Sequence, residues 1–301
     1  MQTNKLAKII ESFGRMFIVM SDNKLYQATT KAKNTKYVVG DMVYIDILND
    51  NQAQITDLQE RKNLIYRSDK NRSKIIASNL NQLLIVTAVV PNVNLFFINS
   101  CLICAHEQNI QPIILINKSD LQESAEFIKK IKHLYNEILK YPIITIAANN
   151  MQNNDLEYNL LYSIILNHQS VLIGQSGVGK STITNKIIAN ANATTNSISK
   201  SGNTGHHTTT HATLYTINAT STLIDCPGLQ EFGLYHLEVS EILNYFPEFR
   251  EYIGKCKFRN CRHINELGCA ILNDITKFDK TRIEFLWQIT KKLLQNKDNY
   301  K

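Results

Sequence analysis

The segment Gly174-Gln175-Ser176-Gly177-Val178-Gly179-Lys180-Ser181 is entered from the apolar run Val171-Leu172-Ile173 and followed by Thr182-Ile183-Thr184. No other stretch constrains the chain so tightly. It predicts a strand, a loop that wraps phosphate groups and the first turn of a helix. The glycines let successive backbone N–H groups turn onto a polyphosphate, Lys180 reaches the outer phosphates, and the Ser181 hydroxyl is placed to ligate Mg²⁺. A strand before and a helix after is the context that separates this pattern from a glycine-rich turn with a chance Lys-Ser.

The flanking sequence predicts more of the same architecture. Continuous apolar runs at Asn81 to Val90, Pro112 to Ile116 and Ile143 to Ile146 read as buried strands, and Asn94 to Gln108, Leu121 to Lys140 and Asp155 to Asn167 have helical spacing. Strands alternating with helices imply a doubly wound, mostly parallel sheet, whose ligands sit at the carboxyl ends of its strands. The loops after Ile116, Ile146, Ile173 and Ile224 are therefore the expected site. Directly after Ile116 stands Asn117-Lys118-Ser119-Asp120. A carboxylate at the fourth position can accept both N–H groups of a guanine edge, which adenine cannot offer; Asn117 either bonds the base or braces the phosphate loop, and the stem of Lys118 can lie along the ring. After the strand Ser221 to Ile224 comes Asp225-Cys226-Pro227-Gly228, where Asp225 can hold a metal-bound water and the Gly228 N–H can face a γ-phosphate. These are the parts of a GTPase that binds GTP with Mg²⁺. The base-reading motif precedes the phosphate loop, so the order is that of a circular permutation. It runs the loop from Asp225 to Gly228 straight into the C-terminal segment, which nucleotide state could then move.

The ends of the chain predict two further modules. Alternating segments Arg15 to Met20, Lys24 to Thr29, Asp41 to Ile47 and Ala53 to Leu58 read as a small OB-like barrel, with Lys31, Lys33 and Lys36 in a long loop suited to nucleic acid or simply solvated. Residues 61–78 read as a polar, basic linker. Cys101 and Cys104 fall among apolar residues of a helix and are expected to be buried thiols. By contrast, Cys256, Cys261, His263 and Cys269 offer three thiolates and one imidazole, the donor set of a closed, structural Zn²⁺ site, and Lys255, Lys257, Arg259 and Arg262 interleave with them around Phe258. Domains are expected at 1–65 (barrel), 66–231 (permuted GTPase) and 232–301 (zinc-binding helical module). A net charge of +7 is compatible with a polyanionic partner without requiring one. The longest apolar stretch, Leu83 to Val90, is far too short for a membrane span, and the six cysteines do not make a disulfide scaffold. A cytoplasmic protein with no membrane partner is expected.

Asn-Lys-Ser-Asp ahead of the phosphate loop, then Gly205-His206-His207-Thr208-Thr209-Thr210 and Asp-Cys-Pro-Gly, resembles the ribosome small subunit-dependent GTPase A (RsgA) family of circularly permuted GTPases, over nearly the whole chain. The resemblance implies GTP hydrolysis to GDP and phosphate, stimulated by the small (30S) ribosomal subunit late in its maturation; the basic residues of the barrel loop and of the zinc module point to rRNA as what those two modules bind, and a monomer is expected. Leu229 stands where many GTPases carry a water-orienting glutamine. The resemblance offers His207 as its catalytic substitute, with bracing of a mobile loop as the alternative, and Thr209 as the threonine that closes over Mg²⁺. Ala147-Ala148 replaces the family's usual Ser-Ala, leaving a backbone N–H to serve the base oxygen. A competing reading is a nucleotide-gated RNA-binding factor with dispensable hydrolysis.

Overall fold

Short alternating segments at the N-terminal end close on themselves. In the computed structural model, which describes residues 4–30, 37–68, 73–152, 155–194, 212–229 and 232–298, they are β1 (Lys5–Phe13), β2 (Met16–Ser21), β3 (Lys24–Thr30), β4 (Met42–Ile47) and β5 (Gln52–Leu58). They pair in the order β1-β2-β3-β5-β4, and β4 returns to β1, so the ring is complete. Every second residue points inward as the pleat demands, and Ile9, Phe17, Val19, Val43 and Ile45 fill a core separate from the rest of the molecule. Sequence alternation marks four of these strands. It misses β1 because a bulge between Ile9 and Glu11 breaks the period of two.

Residues 61–78 are not a linker. β6 (Leu64–Ser68) and β7 (Ser73–Ser78) pair antiparallel, and Ile65 and Ala77 are buried in the main core. Two of the polar residues that suggested solvation, Asn63 and Arg61, are structural: Asn63 Nδ2 donates to Leu80 O at 2.6 Å, and its Oδ1 accepts the Leu80 N–H at 2.8 Å. Arg61 forks onto the fully buried Asp41, with Nε to Oδ1 and Nη2 to Oδ2 both at 2.7 Å. The Val38 N–H and the Ser78 hydroxyl complete the carboxylate's shell at 2.8 and 2.6 Å. One carboxylate thus joins the barrel to the segment that leaves it.

The central sheet contains β8 (Gln82–Ala88), β9 (Gln111–Asn117), β10 (Ile143–Thr145), β11 (Gln169–Gly174), β12 (Thr213–Thr216) and β13 (Thr222–Asp225). Its order is β10-β9-β8-β11-β13-β12, parallel except for β12. From β8 the chain steps outward to β9 and β10, then crosses to the other side of β8 with β11, which puts the topological switch point between β8 and β11. Leu83, Ile85, Ile114, Ile116, Val171 and Ile173 face one side, whereas Leu84, Val86, Ile113, Leu115 and Leu172 face the other. The first side is covered by α1 (Leu95–Glu107) and by the C-terminal segment, the second by α3 (Leu156–Ile165) and α4 (Lys180–Thr194). The helix expected at Leu121 to Lys140 is α2 (Ser124–Ile131), which widens into a π-helix at Lys132–Ile138. At Glu11↔Thr213, β1 pairs antiparallel with β12, so the barrel continues the central sheet.

In the C-terminal segment Val239–Tyr245 and Pro247–Tyr252 wind as 3₁₀ turns, separated by Phe246, which precedes a proline and is held extended. α5 (Ala270–Asn273) and α6 (Lys280–Asp298) follow. Arg282 of α6 is 1% exposed, donates to Glu248 Oε1 at 2.6 Å and to Asn99 Oδ1 of α1 at 2.7 Å, and lies over the Phe246 ring. Substituting Arg61 by leucine leaves the Asp41 carboxylate buried without its cation, and we expect a loss of about 3–5 kcal/mol in the urea-unfolding free energy at pH 7.

Candidate functional site

Four loops at the carboxyl ends of β9, β10, β11 and β13 converge on a cleft of roughly 400 Å³ lined by Asn117, Lys118, Asp120, Ala148, Asn149, Ser176, Gly177, Gly179, Lys180, Ser181, Thr182, Cys226 and Gly228. The phosphate loop turns through Gly177 and Gly179, at φ +82° and +98°. A Cβ at Gly179 would collide with the Asn117 amide, so glycine is required there sterically as well as conformationally. α4 begins at Lys180, so the N-terminal end of a helix, the end that favours an anion, borders the cleft. Lys180 is 7% exposed, and its amine donates to Gly174 O and Gln175 O at 2.9 and 3.1 Å. Burial lowers its pKa while Asp225 opposes the shift, and an anion in the loop would further favour the charged form.

Of the two roles open to Asn117, the structure shows the brace. Its Nδ2 donates to Val178 O at 2.9 Å and its Oδ1 accepts the Ala148 N–H at 3.0 Å. Lys118, with φ +59°, donates from Nζ to Gly177 O at 2.7 Å and Val90 O at 3.0 Å, so its stem spans the cleft wall. Asp120 stands exposed at the lip. Ser119 does not line the cleft: its N–H donates to Ile146 O at 3.2 Å and its carbonyl accepts the Ser124 hydroxyl, closing the turn that aims Asp120. The Ala147 N–H is likewise engaged, by Glu157 Oε2 at 2.8 Å. Gly174, Gln175 and Val178 support the loop from behind, and Gln175 Oε1 accepts the Asn94 N–H at 3.3 Å.

At the opposite end Asp225 is 3% exposed, and its Oδ1 has no hydrogen-bond partner among the described residues. Burial pushes its carboxyl up to about 6, with the Lys180 ammonium pulling the other way. An orphaned buried carboxylate oxygen beside a cleft that also presents the Ser181 hydroxyl fits a hydrated Mg²⁺. Gly228 lies so close to the phosphate loop that a Cβ would meet Ser176 Cα at 2.9 Å, and the next N–H, of Leu229, donates to Gly174 O at 3.2 Å. The Leu229 side chain is buried in the core and supplies nothing to the cleft. His207 and Thr209 lie outside the described residues, as do Lys31, Lys33 and Lys36. Sequence reasoning missed Asn149 and Cys226 as lining residues and Val90 as a partner of Lys118; the first two adjoin recognised motifs, whereas Val90 follows β8, whose loop carries no motif.

The second candidate site is remote in sequence. Cys256, Cys261, His263 and Cys269 place their donor atoms within 4.8 Å of one another. His263 Nδ1 is 3.6 Å from Sγ of Cys256 and of Cys261 and 3.5 Å from Sγ of Cys269. Tetrahedral ligands at 2.0–2.3 Å from a common ion stand about 3.5 Å apart, so the donors are spaced to hold a metal ion. His263 has φ +60°, and its carbonyl accepts the Trp287 indole N–H at 2.8 Å, fixing the knuckle to α6. Glu266 caps the turn by accepting the N–H groups of Arg262, Ile264 and Asn265.

Residues 58–235 match the family model described as RsgA GTPase. A curated relative from Neisseria meningitidis serogroup C, named small ribosomal subunit biogenesis GTPase RsgA, is 41% identical over 96% of this chain and 93% of its own length. The protein of that name from Nitrosospira multiformis is 41% identical over 88% of this chain and 83% of its own. Two solved structures share the fold: YjeQ from Thermotoga maritima, at TM-score 0.73 and 22% identity over 96% of this chain and 98% of that one, and YloQ, a circularly permuted GTPase, at TM-score 0.68 and 21% identity over 97% and 96%. With the family model covering more than half of the chain, and these relatives nearly all of it, the chain belongs to the RsgA GTPase family.

Proposed function

We propose that this protein hydrolyses GTP to GDP and phosphate in the maturation of the small ribosomal subunit, the process named for its relatives. One observation carries the nucleotide part: the loops bearing Asp120, Lys180 and Gly228 open into a single cleft, with the buried Asp225 behind it. Asp120 reads the guanine edge, Lys118 lies along the base, and the N–H groups from Gly177 to Thr182 together with Lys180 hold the phosphates. Mg²⁺, when bound, supplies charge stabilisation at the β- and γ-phosphates; Ser181, Asp225 and Thr209 are the residues assigned to hold it. His207 is assigned to orient the attacking water, since Leu229 is buried in the core and has no polar group to do so.

The metal of the knuckle is Zn²⁺, held structurally, because three thiolates and an imidazole leave no open position for chemistry. The domains are the barrel, the permuted GTPase up to 231 and the zinc module at 232–301; the first boundary lies before β6 and not at 65, because Ile65 packs in the main core and not in the barrel. The knuckle is proposed to bind rRNA: Phe258 is 50% exposed with Lys257 Nζ 5.5 Å from its ring centre, beside the exposed Lys255, Arg259 and Arg262. The barrel grips rRNA on the other side of the nucleotide, and the protein acts in the cytoplasm.

Single-turnover GTP cleavage should accelerate when purified small subunits are added and should vanish in Lys180→Ala; cleavage unaffected by subunits would refute the assigned setting. Asp120→Asn replaces an acceptor by an amide, and GTP affinity should fall by roughly tenfold or more with xanthosine triphosphate gaining, as read by calorimetry. Elemental analysis should find one zinc per chain. Cys269→Ser should lose the zinc and lower the thermal midpoint by several degrees, because metal affinity at such a site is folding free energy.

A further inference from the structure

Asp120 projects from the loop after β9 into solvent, where its carboxylate would be free to rotate, yet its Oδ2 accepts a hydrogen bond from Asn150 Nδ2 at 3.0 Å. Asn150 belongs to the loop after β10, where hydrogen bonds hold the backbone on both sides of it. The N–H groups of Asn150 and Met151 both donate to Ala147 O at 2.9 Å, Met151 is buried, and its carbonyl accepts Lys186 Nζ of α4 at 2.6 Å. Ala147 and Ala148 carry only methyl groups, and Asn149 lines the cleft itself. Asn150 is therefore the described polar side chain of this loop that holds the carboxylate.

We infer that Asn150 is a positioning residue for guanine recognition: it holds the Asp120 carboxylate in the plane where both oxygens meet a guanine edge, and so sets how well the site distinguishes guanine from a base lacking the 2-amino group. This rests on the reading of Asp120 proposed above. A two-point contact needs both oxygens side by side, and fixing an exposed side chain at the moment of binding costs entropy that a pre-formed contact avoids. A neutral amide suits the task. It leaves the carboxylate's full charge for the base, and an ionised oxygen has lone pairs for two donors, so Oδ2 can serve Asn150 and guanine together. Inosine, which offers N1–H without the 2-amino group, makes a one-point contact that tolerates rotation.

The test is calorimetric titration of GTP and ITP into the full-length, zinc-loaded protein and its variants. Asn150→Ala should weaken GTP by about fivefold and ITP by less, narrowing the GTP:ITP ratio. Asn150→Asp keeps the size but presents an acceptor and a like charge, so it should weaken GTP more than alanine does; a purely space-filling role would leave it near wild type. Asn150→Ala added to Asp120→Asn should cost nothing further, since the group it positions is gone. A GTP:ITP ratio unchanged in both Asn150 variants, or tighter GTP binding in Asn150→Ala, overturns the positioning role while leaving guanine recognition intact, provided Asp120→Asn weakens GTP. Unchanged GTP affinity in Asp120→Asn instead removes the guanine reading, and the positioning role with it.

Discussion

One buried amide holds the nucleotide cleft in shape. Asn117 is 3% exposed, stands at the end of β9, and bonds the loop after β10 through Oδ1 and the phosphate loop through Nδ2. The ends of two strands separated along the chain, β10 and β11, are thereby tied to the end of a third by one side chain. The contact also dictates a residue elsewhere, because only a position without a Cβ can pass beneath the Asn117 amide, and that position is Gly179. A buried amide with donor and acceptor both matched is stabilising; with either partner withdrawn it would carry an unsatisfied group, so the loops are held together by the cost of separating them.

The same arrangement explains how the permuted order is accommodated. Parallel strands pair by register, not by chain sequence, and β8 and β11 are neighbours although nearly ninety positions separate them, as at Leu83↔Val171. The nucleotide loops then reach both ends of the molecule. β12 pairs with barrel strand β1 on one side and with β13, which ends at Asp225, on the other. Beyond Gly228, Leu229 and Phe232 enter the core shared by α1 and α6, where Arg282 joins Glu248 to Asn99. Displacement of the loop after β13 has to be absorbed in that core, which is close-packed and yields by discrete repacking.

Motifs whose chemistry depends on local spacing were legible in the sequence: the phosphate loop, the run from Asn117 to Asp120, the run from Asp225 to Gly228 and the Cys256, Cys261, His263, Cys269 donor set all have their surroundings laid out in a few consecutive residues. Continuous apolar runs located β8, β9 and β11, since a strand buried on both faces needs no alternation. Segments whose environment comes from elsewhere were not legible. β1 hides behind its bulge, β12 has four residues, and the β6 and β7 pair looked solvated because Arg61 and Asn63 are polar, although each is spent on a distant buried partner.

The sequence by itself determined the identity of the chemical groups: glycines where the loop turns tightly, a carboxylate at the fourth position of the run after β9, three thiolates and an imidazole in the C-terminal segment, and the strand and helix periods that carry them. Only the tertiary structure decided that Asn117 braces loops, that Asn150 meets Asp120, that Asp41 takes Arg61, and that Leu229 turns inward. The physical reason is range. Periodicity and loop chemistry act between residues a few positions apart, whereas pairing of buried polar groups depends on which strands lie side by side, and that register is settled only when the whole sheet assembles.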